Sequence, residues 1–207
     1  NKPPGCPAIW QAPDRFFANY GYDPQTSDER QRYRAVLSAL DAGIGHVLDQ
    51  LEELKLVDNT VVVVLSDNGS FMIPGRGLEC GSNRPLKGGG TLLYEGGIRV
   101  PCIVRWPAKL PAGQICSEPL LSMDLLPMAI KAAGGQLPEK RALDGRDPTA
   151  ALADKAESPH RYMYFHYGSS SAIRRGKYKL YRRNGRSTWE LFDLHRDIGE
   201  TANQAAA

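Results

Sequence analysis

A run of five apolar residues at 61–65 (VVVVL) constrains the fold of this chain more than any other feature. Four of the five are valine, and the polar sequence SDNG follows at residues 66–69. β-Branched side chains favour extended backbone, and a strand that is apolar at every position is typical of a sheet covered on both faces. The run therefore predicts a fully buried strand that ends in a polar turn.

The segment before this strand carries the clearest helical pattern in the sequence. Across residues 29–55, apolar side chains recur every three or four positions, as on one face of an amphipathic helix. Ser27 or Asp28 is placed to cap the first turn. Gly43 and Gly45 lie mid-helix, where each costs about 1 kcal/mol relative to alanine, so we expect them to allow close packing against another element.

The pair Asp67 and Asn68 stands at the carboxyl end of the predicted strand. A helix that leads into a buried strand is half of an α/β repeat, and ligands gather at the carboxyl ends of the strands in such sheets. A carboxylate beside a carboxamide offers the oxygen ligands that Ca²⁺ or Mg²⁺ prefers. Followed by Gly69, the same pair also makes a good turn, because all three residue types tolerate turn conformations. Local chemistry leaves both interpretations open.

The remaining segments before residue 158 predict a mixture of loops and short helices or strands. Residues 1–28 are rich in proline and polar side chains and indicate a loop with a short helix after Pro13. Residues 69–97 contain nine glycines and form a long connection of a kind that is usually functional or mobile. A further strand is expected at 98–106 and a helix at 122–131.

The pattern changes near residue 158. Short aromatic-rich segments, such as YMYFHY at 162–167, alternate with glycine-containing turns, which is typical of an antiparallel sheet. The predicted fold class is therefore α/β. Residues 1–157 are expected to contribute to a large mixed sheet flanked by helices, and residues 158–207 to form a small antiparallel-sheet subdomain.

Composition and charge exclude several classes of function. The 26 basic and 23 acidic side chains give a net charge of +3, which is too balanced to indicate nucleic-acid binding. The longest apolar run is far shorter than the roughly 20 residues of a membrane-spanning helix. The four cysteines form no C-x-x-C pattern and lie at no zinc-ligand spacing from histidine, so they allow two disulfides without implying them.

Seven of the basic residues fall within residues 174–186. Such a run is ordinarily a solvated face, because lysine and arginine stems lie along apolar surface while their charged ends stay in water. A site for an anionic ligand is the alternative.

Several motifs follow one another along the chain in a fixed order. They are WQAP at 10–13 with Phe16 and Tyr20, the helix at 33–58, NTVVVVLSDNG at 59–69, NRPLKGGGTLLYEGGIRVP at 83–101, SMDLLP at 122–127, LDGRD at 143–147, AIRRGKYKL at 172–180 and WELFDLHRDIGETAN at 189–203. In content and order these motifs resemble the C-terminal portion of the sulfatase family, in particular its arylsulfatase branch within the alkaline phosphatase superfamily. The resemblance covers nearly the whole chain.

The resemblance implies a chemistry. Sulfatases hydrolyse sulfate esters with a formylglycine nucleophile, made from a cysteine or serine in a C-x-P-x-R motif, beside a divalent cation that is usually Ca²⁺. Cations suit this reaction because they neutralise the sulfate oxygens as charge develops. By resemblance, Asp67 and Asn68 are the second pair of metal ligands. The residues after Cys6 have neither the proline at the third position nor the arginine at the fifth position of this motif. We therefore expect this chain to be a fragment whose missing N-terminal half supplies the nucleophile and the first ligand pair.

Two positions depart from the family pattern. Gly90 stands four residues before Tyr94, where the family has lysine, and Pro7 stands where a histidine is common. Lys87, three residues upstream of Gly90, is the candidate substitute for the active-site cation. Losing a charged group placed for the transition state costs about 10²- to 10³-fold in rate. The rest of this segment, including Glu95 and Arg99, is expected to be structural.

The resemblance also limits the expected partners. It implies an aryl or carbohydrate sulfate as substrate, and a secreted, periplasmic or lysosomal location, while the oligomeric state is undetermined. Two alternatives stay open at this point. One is a catalytically impaired sulfatase-like protein that binds anionic glycans or another protein, and the other is a phosphoester or phosphonate hydrolase of the same superfamily.

Overall fold

The structure, a computed structural model, describes residues 9–73, 78–154, 156–183 and 186–205. Cys6 and Pro7, on which two of the comparisons with the family pattern rest, lie outside the described residues. The helices are α1 (Asp14–Ala18), α2 (Glu29–Glu53), α3 (Glu95–Ile98), α4 (Leu125–Ala132) and α5 (Thr149–Asp154), with 3₁₀ turns at Val57–Asn59 and Ser122–Asp124. The strands are β1 (Val62–Leu65), β2 (Cys102–Arg105), β3 (Met163–Tyr167), β4 (Ser170–Arg175), β5 (Tyr178–Arg182) and β6 (Glu190–Asp193).

The long helix α2 begins where its capping residue predicts. The Asp28 carboxylate accepts hydrogen bonds from the backbone amides of Arg30 at 2.8 Å and Gln31 at 3.4 Å, which satisfies two of the free donors of the first turn. Helix α1 packs on α2 through a cluster in which Phe17 and Ala35 are almost fully buried. Further along α2 and at its C-cap, apolar side chains of the same stripe are more than half exposed: Leu40, Val47 and Leu54.

Strand β1 has a different environment from the one that its composition predicts. It pairs antiparallel with β2, with Val62 opposite Arg105 and Leu65 opposite Cys102. All four β1 side chains are only half-buried, so the prediction of a strand buried on both faces is wrong within the described part of the chain. The physical reason is that β2 is the one described strand that pairs with β1, and these two strands are all that the described residues contribute to this sheet.

Strand β2 is shorter than the predicted strand at 98–106. Ile98 is the last residue of helix α3 instead, and Pro101 precedes the strand. Proline has no amide hydrogen to donate to the ladder, but its carbonyl oxygen accepts a hydrogen bond from the Ser66 amide at 3.3 Å. The backbone around residue 66 is thereby fixed directly before the polar turn.

The C-terminal strands form the predicted antiparallel sheet, in the order β3-β4-β5-β6. Its inner face packs on the segment that leads into α3, where the Tyr94 ring meets the Tyr181 ring edge to face at 4.5 Å. The Tyr94 hydroxyl donates a hydrogen bond to Glu190 at 2.6 Å. This shared core contains Leu93, Tyr94, Ala172, Tyr181, Phe192 and Leu194. The α/β class with a small antiparallel sheet is confirmed, while the boundary between residues 157 and 158 stays a prediction.

A buried ionic cluster fixes α3 to this sheet. The Lys179 ammonium lies 3.0 Å from Glu95 Oε1 and 2.9 Å from Glu200 Oε1, and all three side chains are buried. The Glu95 backbone amide donates to Glu200 Oε2 at 2.6 Å. Removing one partner of such a cluster leaves an uncompensated buried charge, at a cost of about 3–5 kcal/mol. Lys179 therefore departs from the solvated face predicted for the basic run.

Most of the other charged side chains of that run have local partners. Arg174 contacts Glu95 at 3.5 Å and Lys177 pairs with Asp193 at 3.0 Å. The Arg182 guanidinium lies over the Trp189 ring, 5.0 Å from its centre. These contacts assign the run chiefly to internal stabilisation of the sheet rather than to an anion site.

None of the helices in the described ranges combines the length and apolar character that crossing a membrane requires.

Candidate active-site cleft

The turn after β1 presents two oxygen-bearing side chains at its surface. The Ser66 hydroxyl donates to the Asn68 carbonyl oxygen at 2.9 Å, which closes the turn. The Asn68 side-chain nitrogen donates to the Gly69 carbonyl oxygen at 2.9 Å, so the amide oxygen is the atom left for a ligand. Asp67 is exposed, and one of its oxygens accepts from the Asn68 backbone amide at 2.8 Å. The turn interpretation and the ligand interpretation are therefore compatible.

This turn is held against the glycine-rich loop by main-chain contacts. The Gly69 amide donates to the Gly97 carbonyl oxygen at 2.9 Å, and the Gly90 amide donates to the Gly69 carbonyl oxygen at 3.1 Å. A Cβ atom on Gly69 would overlap the carbonyl oxygen of Gly96. The approach between the two segments thus depends on the absence of a side chain at residue 69.

Asn83 adds a side-chain clamp between the same two segments. Its Oδ1 accepts from the Ser70 amide at 2.8 Å, and its Nδ2 donates to the carbonyl oxygens of Ser70 at 2.7 Å and Gly88 at 2.9 Å. One amide therefore joins the turn after β1 to the glycine-rich loop. Sequence reasoning did not single out Asn83, although it lies within the motif at 83–101.

The turn opens on a cleft of about 610 Å³. Its charged lining residues are Asp67, Arg84 and Arg99, and the aromatic rings of Trp10 and Tyr33 form part of its wall, 4.8 Å apart in an edge-to-face arrangement. The rest of the lining comes from Ser66, Asn68, Gly69, Ser70, Phe71, Leu78, Gly81, Ser82, Asn83, Leu86, Val100 and Pro101. The structure therefore brings together the predicted ligand pair, Trp10 of the WQAP motif and both ends of the motif at 83–101.

The donor set at this turn matches a hard cation in kind but not in number. A carboxylate oxygen and an amide oxygen suit Ca²⁺, which takes about six to eight oxygen ligands. Within residues 9–73, 78–154, 156–183 and 186–205, no group of three or more histidine, cysteine, aspartate or glutamate side chains could hold a metal ion. Asp67 and Asn68 thus fit one part of a metal site, whose other ligands would come from elsewhere.

Gly90 lies beside the turn with a backbone conformation that favours glycine. Its φ is +53°, and a Cβ atom there would lie 2.5 Å from Cδ1 of the Phe71 ring. The space into which a side chain at residue 90 would extend is therefore filled by an apolar ring. The chain therefore has no cationic side chain at residue 90, and the Phe71 ring occupies the space that such a side chain would need.

Lys87 points to the C-terminal sheet rather than to the cleft. Its ammonium donates to the Glu200 carbonyl oxygen at 2.9 Å and lies 4.3 Å from the centre of the Tyr94 ring. It is not among the residues that line the cleft. These contacts give Lys87 a structural role, and its catalytic role stays a prediction.

Two family models match the chain. The one described as Sulfatase matches residues 3–135, and the one described as N-sulphoglucosamine sulphohydrolase, C-terminal, matches residues 90–206. Human steryl-sulfatase is 36% identical over 165 residues, which are 77% of this chain and 27% of that protein. The chain spans about a quarter of the length of the first curated relatives that it matches.

Solved structures share the fold. The chain is similar to Ps i-CgsB in complex with k-i-k-neocarrahexaose, with a TM-score of 0.82 and 31% identity over 99% of this chain and 44% of that one. For BT4656 in complex with its substrate D-glucosamine-2-N,6-O-disulfate, the TM-score is 0.69 and the identity 27%, over 84% of this chain and 35% of that one. For the phosphonate monoester hydrolase SpPMH from Silicibacter pomeroyi, the TM-score is 0.64 and the identity 25%, over 86% of this chain and 37% of that one.

Proposed function

We propose, from the premise that this chain belongs to the sulfatase family, that it forms the C-terminal part of an enzyme that hydrolyses sulfate esters. The observation that carries the proposal is the Asp67–Asn68 turn. It lies at the carboxyl end of β1, is fixed to the glycine-rich loop, and opens on a cleft that two arginines line.

In this proposal Asp67 and Asn68 hold one side of a Ca²⁺ or Mg²⁺ site. A bound divalent cation would neutralise charge on the sulfate oxygens and on the nucleophile. The turn residues hold the two ligand oxygens in place, because Ser66 and Gly69 fix the backbone on both sides. The formylglycine nucleophile and the other ligands belong to a preceding N-terminal part of the protein, and residues 158–207 are its small C-terminal subdomain.

The proposed substrate is an aryl or carbohydrate sulfate. Human arylsulfatase H supports the aryl ester by similarity, and BT4656 with its disulfated glucosamine supports the carbohydrate ester. A secreted, periplasmic or lysosomal location is part of the proposal and follows from the family alone.

A second candidate is hydrolysis of phosphonate or phosphate esters, favoured by the similarity to a phosphonate monoester hydrolase. A catalytically impaired, anion-binding relative is the third, favoured by the phenylalanine ring that fills the space beside Gly90. All three candidates use the same cleft, so activity measurements are needed to separate them.

The test is to read the coding sequence upstream of Asn1 and to assay the complete protein on paired 4-nitrophenyl sulfate, phosphate and phenylphosphonate esters. We expect a C-x-P-x-R motif with an acidic pair, and turnover of the sulfate that chelation with EDTA reduces. Asp67→Asn should lower kcat/KM by about 10²-fold or more. The matched change Asp49→Asn, on the exposed side of α2, should leave it unchanged. Preferential turnover of the phosphonate would replace the proposal by the second candidate, and absence of all turnover would replace it by the third.

A further inference from the structure

Two arginines of the motif at 83–101 give the cleft a positive charge, and one of them, Arg99, was expected to be structural. Arg84 and Arg99 both line the cleft, and Asp67 supplies the single carboxylate among the lining residues within the described ranges. Both arginine side chains are exposed to solvent on the cleft side of the molecule. The lining therefore has a cationic excess before any metal is counted.

Among the residues that the structure describes, neither guanidinium group takes part in a hydrogen bond or an ion pair with the rest of the fold. Within the described part of the chain, no carboxylate forms an ion pair with Arg84 or Arg99, whereas Arg174 and Lys179 both reach Glu95. A guanidinium carries five N–H donors in a planar fork that matches oxyanions with two parallel hydrogen bonds. Those donors are accordingly left for a ligand in the cleft.

The backbone under each arginine is fixed to the walls of the cleft. Arg84 follows Asn83, whose side chain binds both the 67–70 turn and the glycine-rich loop. Its own amide donates to the Ser82 hydroxyl at 3.3 Å. Arg99 follows α3 directly, and its amide donates to the Glu95 carbonyl oxygen at 2.7 Å. Both side chains therefore start from ordered positions, which lowers the entropy lost on binding an anion.

The position where a family lysine would stand offers no alternative cation. Gly90 has no side chain, the Phe71 ring fills the space beside it, and Lys87 contacts Glu200 in the C-terminal sheet. The described charges that can meet an anion in the cleft are those of Arg84 and Arg99. Trp10 and Tyr33 line the same cleft and add the apolar surface of two tilted rings to its wall.

We infer that Arg84 and Arg99 are anion-binding residues of this cleft, which take the sulfate group of an ester whose ring lies against Trp10 and Tyr33. The inference deepens the proposed function and rests on it. Arg84 is the more informative of the two, because the residue lies in the loop that Asn83 fixes.

The test uses this 207-residue chain and 4-nitrophenyl sulfate as the probe. Titration is followed by ¹⁵N–¹H NMR at the arginine Nε–H and tryptophan indole signals. We expect saturable shifts of the Arg84, Arg99 and Trp10 side-chain signals, with Trp106 and Trp189 unmoved. Arg84→Gln and Arg99→Gln should each weaken binding about three- to tenfold, as loss of a charge-assisted hydrogen bond at an exposed site requires. Arg84→Lys should weaken it less, because the charge remains.

Two controls make the inference falsifiable. Arg141→Gln removes an exposed arginine outside the cleft and should leave the affinity unchanged, so an equal loss would mean nonspecific charge attraction and overturn the inference. 4-Nitroanisole has the ring without the charge, and binding of this probe as tight as that of the sulfate would also overturn it. Thermal unfolding checks that each variant is folded.

Failure of the inference can be told apart from failure of the proposed function. If the complete protein hydrolyses the sulfate ester with an unchanged KM in Arg84→Gln, the arginine site is wrong and the function stands. If the complete protein hydrolyses no sulfate ester but binds the probe through Arg84, the function is wrong and the anion site stands.

Discussion

The side chain of Asn83 pairs with the backbone of Ser70 as a neighbouring β-strand would. Its Oδ1 accepts from the Ser70 amide at 2.8 Å while its Nδ2 donates to the Ser70 carbonyl oxygen at 2.7 Å. The second hydrogen of the same amide reaches the Gly88 carbonyl oxygen at 2.9 Å. One side chain thus satisfies three main-chain groups in a glycine-rich region that has little regular secondary structure of its own.

Asn83→Ala should lower the free energy of unfolding by about 2–3 kcal/mol. The reason is that three hydrogen bonds are lost and that the Ser70 amide and the Gly88 carbonyl oxygen are left without partners, while the Ser70 carbonyl oxygen keeps the Gly90 amide at 3.2 Å. Urea unfolding measures the loss, and amide hydrogen exchange should quicken at Ser70. Asn59→Ala removes an exposed asparagine and should change stability by less than about 0.5 kcal/mol. Equal effects of the two changes would contradict the clamp.

Restoring the family lysine by Gly90→Lys should destabilise the chain. A φ of +53° costs a non-glycine residue about 1–2 kcal/mol, and the new Cβ would also displace the Phe71 ring. That ring is 37% exposed and can turn outward, so the backbone should account for most of the loss. Thermal unfolding of Gly90→Lys, Phe71→Ala and the double variant separates the two causes. We expect the double variant to recover only the part of the lost stability that comes from the clash with the Phe71 ring. Full recovery of stability would show that the backbone at residue 90 adapts freely.

The elements that the sequence predicts well are those with short-range signals. Helix α2 follows from its periodic apolar stripe and from Asp28, and both signals act within one or two turns. The β3–β6 sheet follows from short aromatic-rich segments that alternate with glycine-containing turns. The position of the Asp67–Asn68 turn follows from the end of the apolar run. In each case the residues that decide the structure are close together in the chain.

The features that the sequence does not predict depend on distant contacts. Lys179 is buried because it meets Glu95, which is 84 residues away, and nothing in a run of basic residues marks one member as internal. Helix α3 contains two glycines, which hide its helical character, and the Glu200 carboxylate binds its first amide from 105 residues away. The half-burial of strand β1 is not predicted for a similar reason, because composition does not say which elements cover a strand.

Gly43→Ala and Gly45→Ala should each stabilise α2. Nothing lies within 4 Å of a Cβ atom at either position among the described residues, so the expected close packing is not observed there. Alanine in a helix interior gains about 0.5–1 kcal/mol over glycine through reduced chain entropy. Chemical denaturation measures the gain. Gly69→Ala is the matched opposite case, because its Cβ would overlap the Gly96 carbonyl oxygen, and it should destabilise the chain.

Glu200 should make stability depend on pH in a direction unusual for a carboxylate. Burial raises the pKa of Glu200 above its usual value, although the adjacent Lys179 ammonium opposes that shift. The folded chain therefore binds a proton more tightly than the unfolded chain does. Stability attributable to Glu200 is fully present below the ordinary glutamate pKa and decreases as pH rises through the raised value. Denaturation of wild type and Glu200→Gln over this range should show wild type losing stability relative to the variant.

Asp197 provides a carboxylate with the opposite behaviour for the same titration. A hydrogen bond from the Ala202 amide, at 2.8 Å, lowers the pKa of Asp197. Its contribution is present above the ordinary aspartate pKa and is lost as pH falls through the lowered value. Asp197→Asn should therefore flatten the acid side of the stability profile. Profiles that change in the same direction for both variants would contradict the assignment of Glu200.

Calcium binding by this chain alone should be weak. Asp67 and Asn68 offer two oxygen ligands, whereas complete extracellular calcium sites with several more reach only about 10⁻⁴ to 10⁻³ M. Calorimetry of the 207-residue chain should give a dissociation constant no tighter than about 10⁻³ M, and NMR should place the shifts at residues 66–69. Asp67→Asn should abolish those shifts and Asp49→Asn should preserve them. Micromolar affinity in this chain would mean that the site is completed by residues other than the turn, and would overturn the view that Asp67 and Asn68 are half of it.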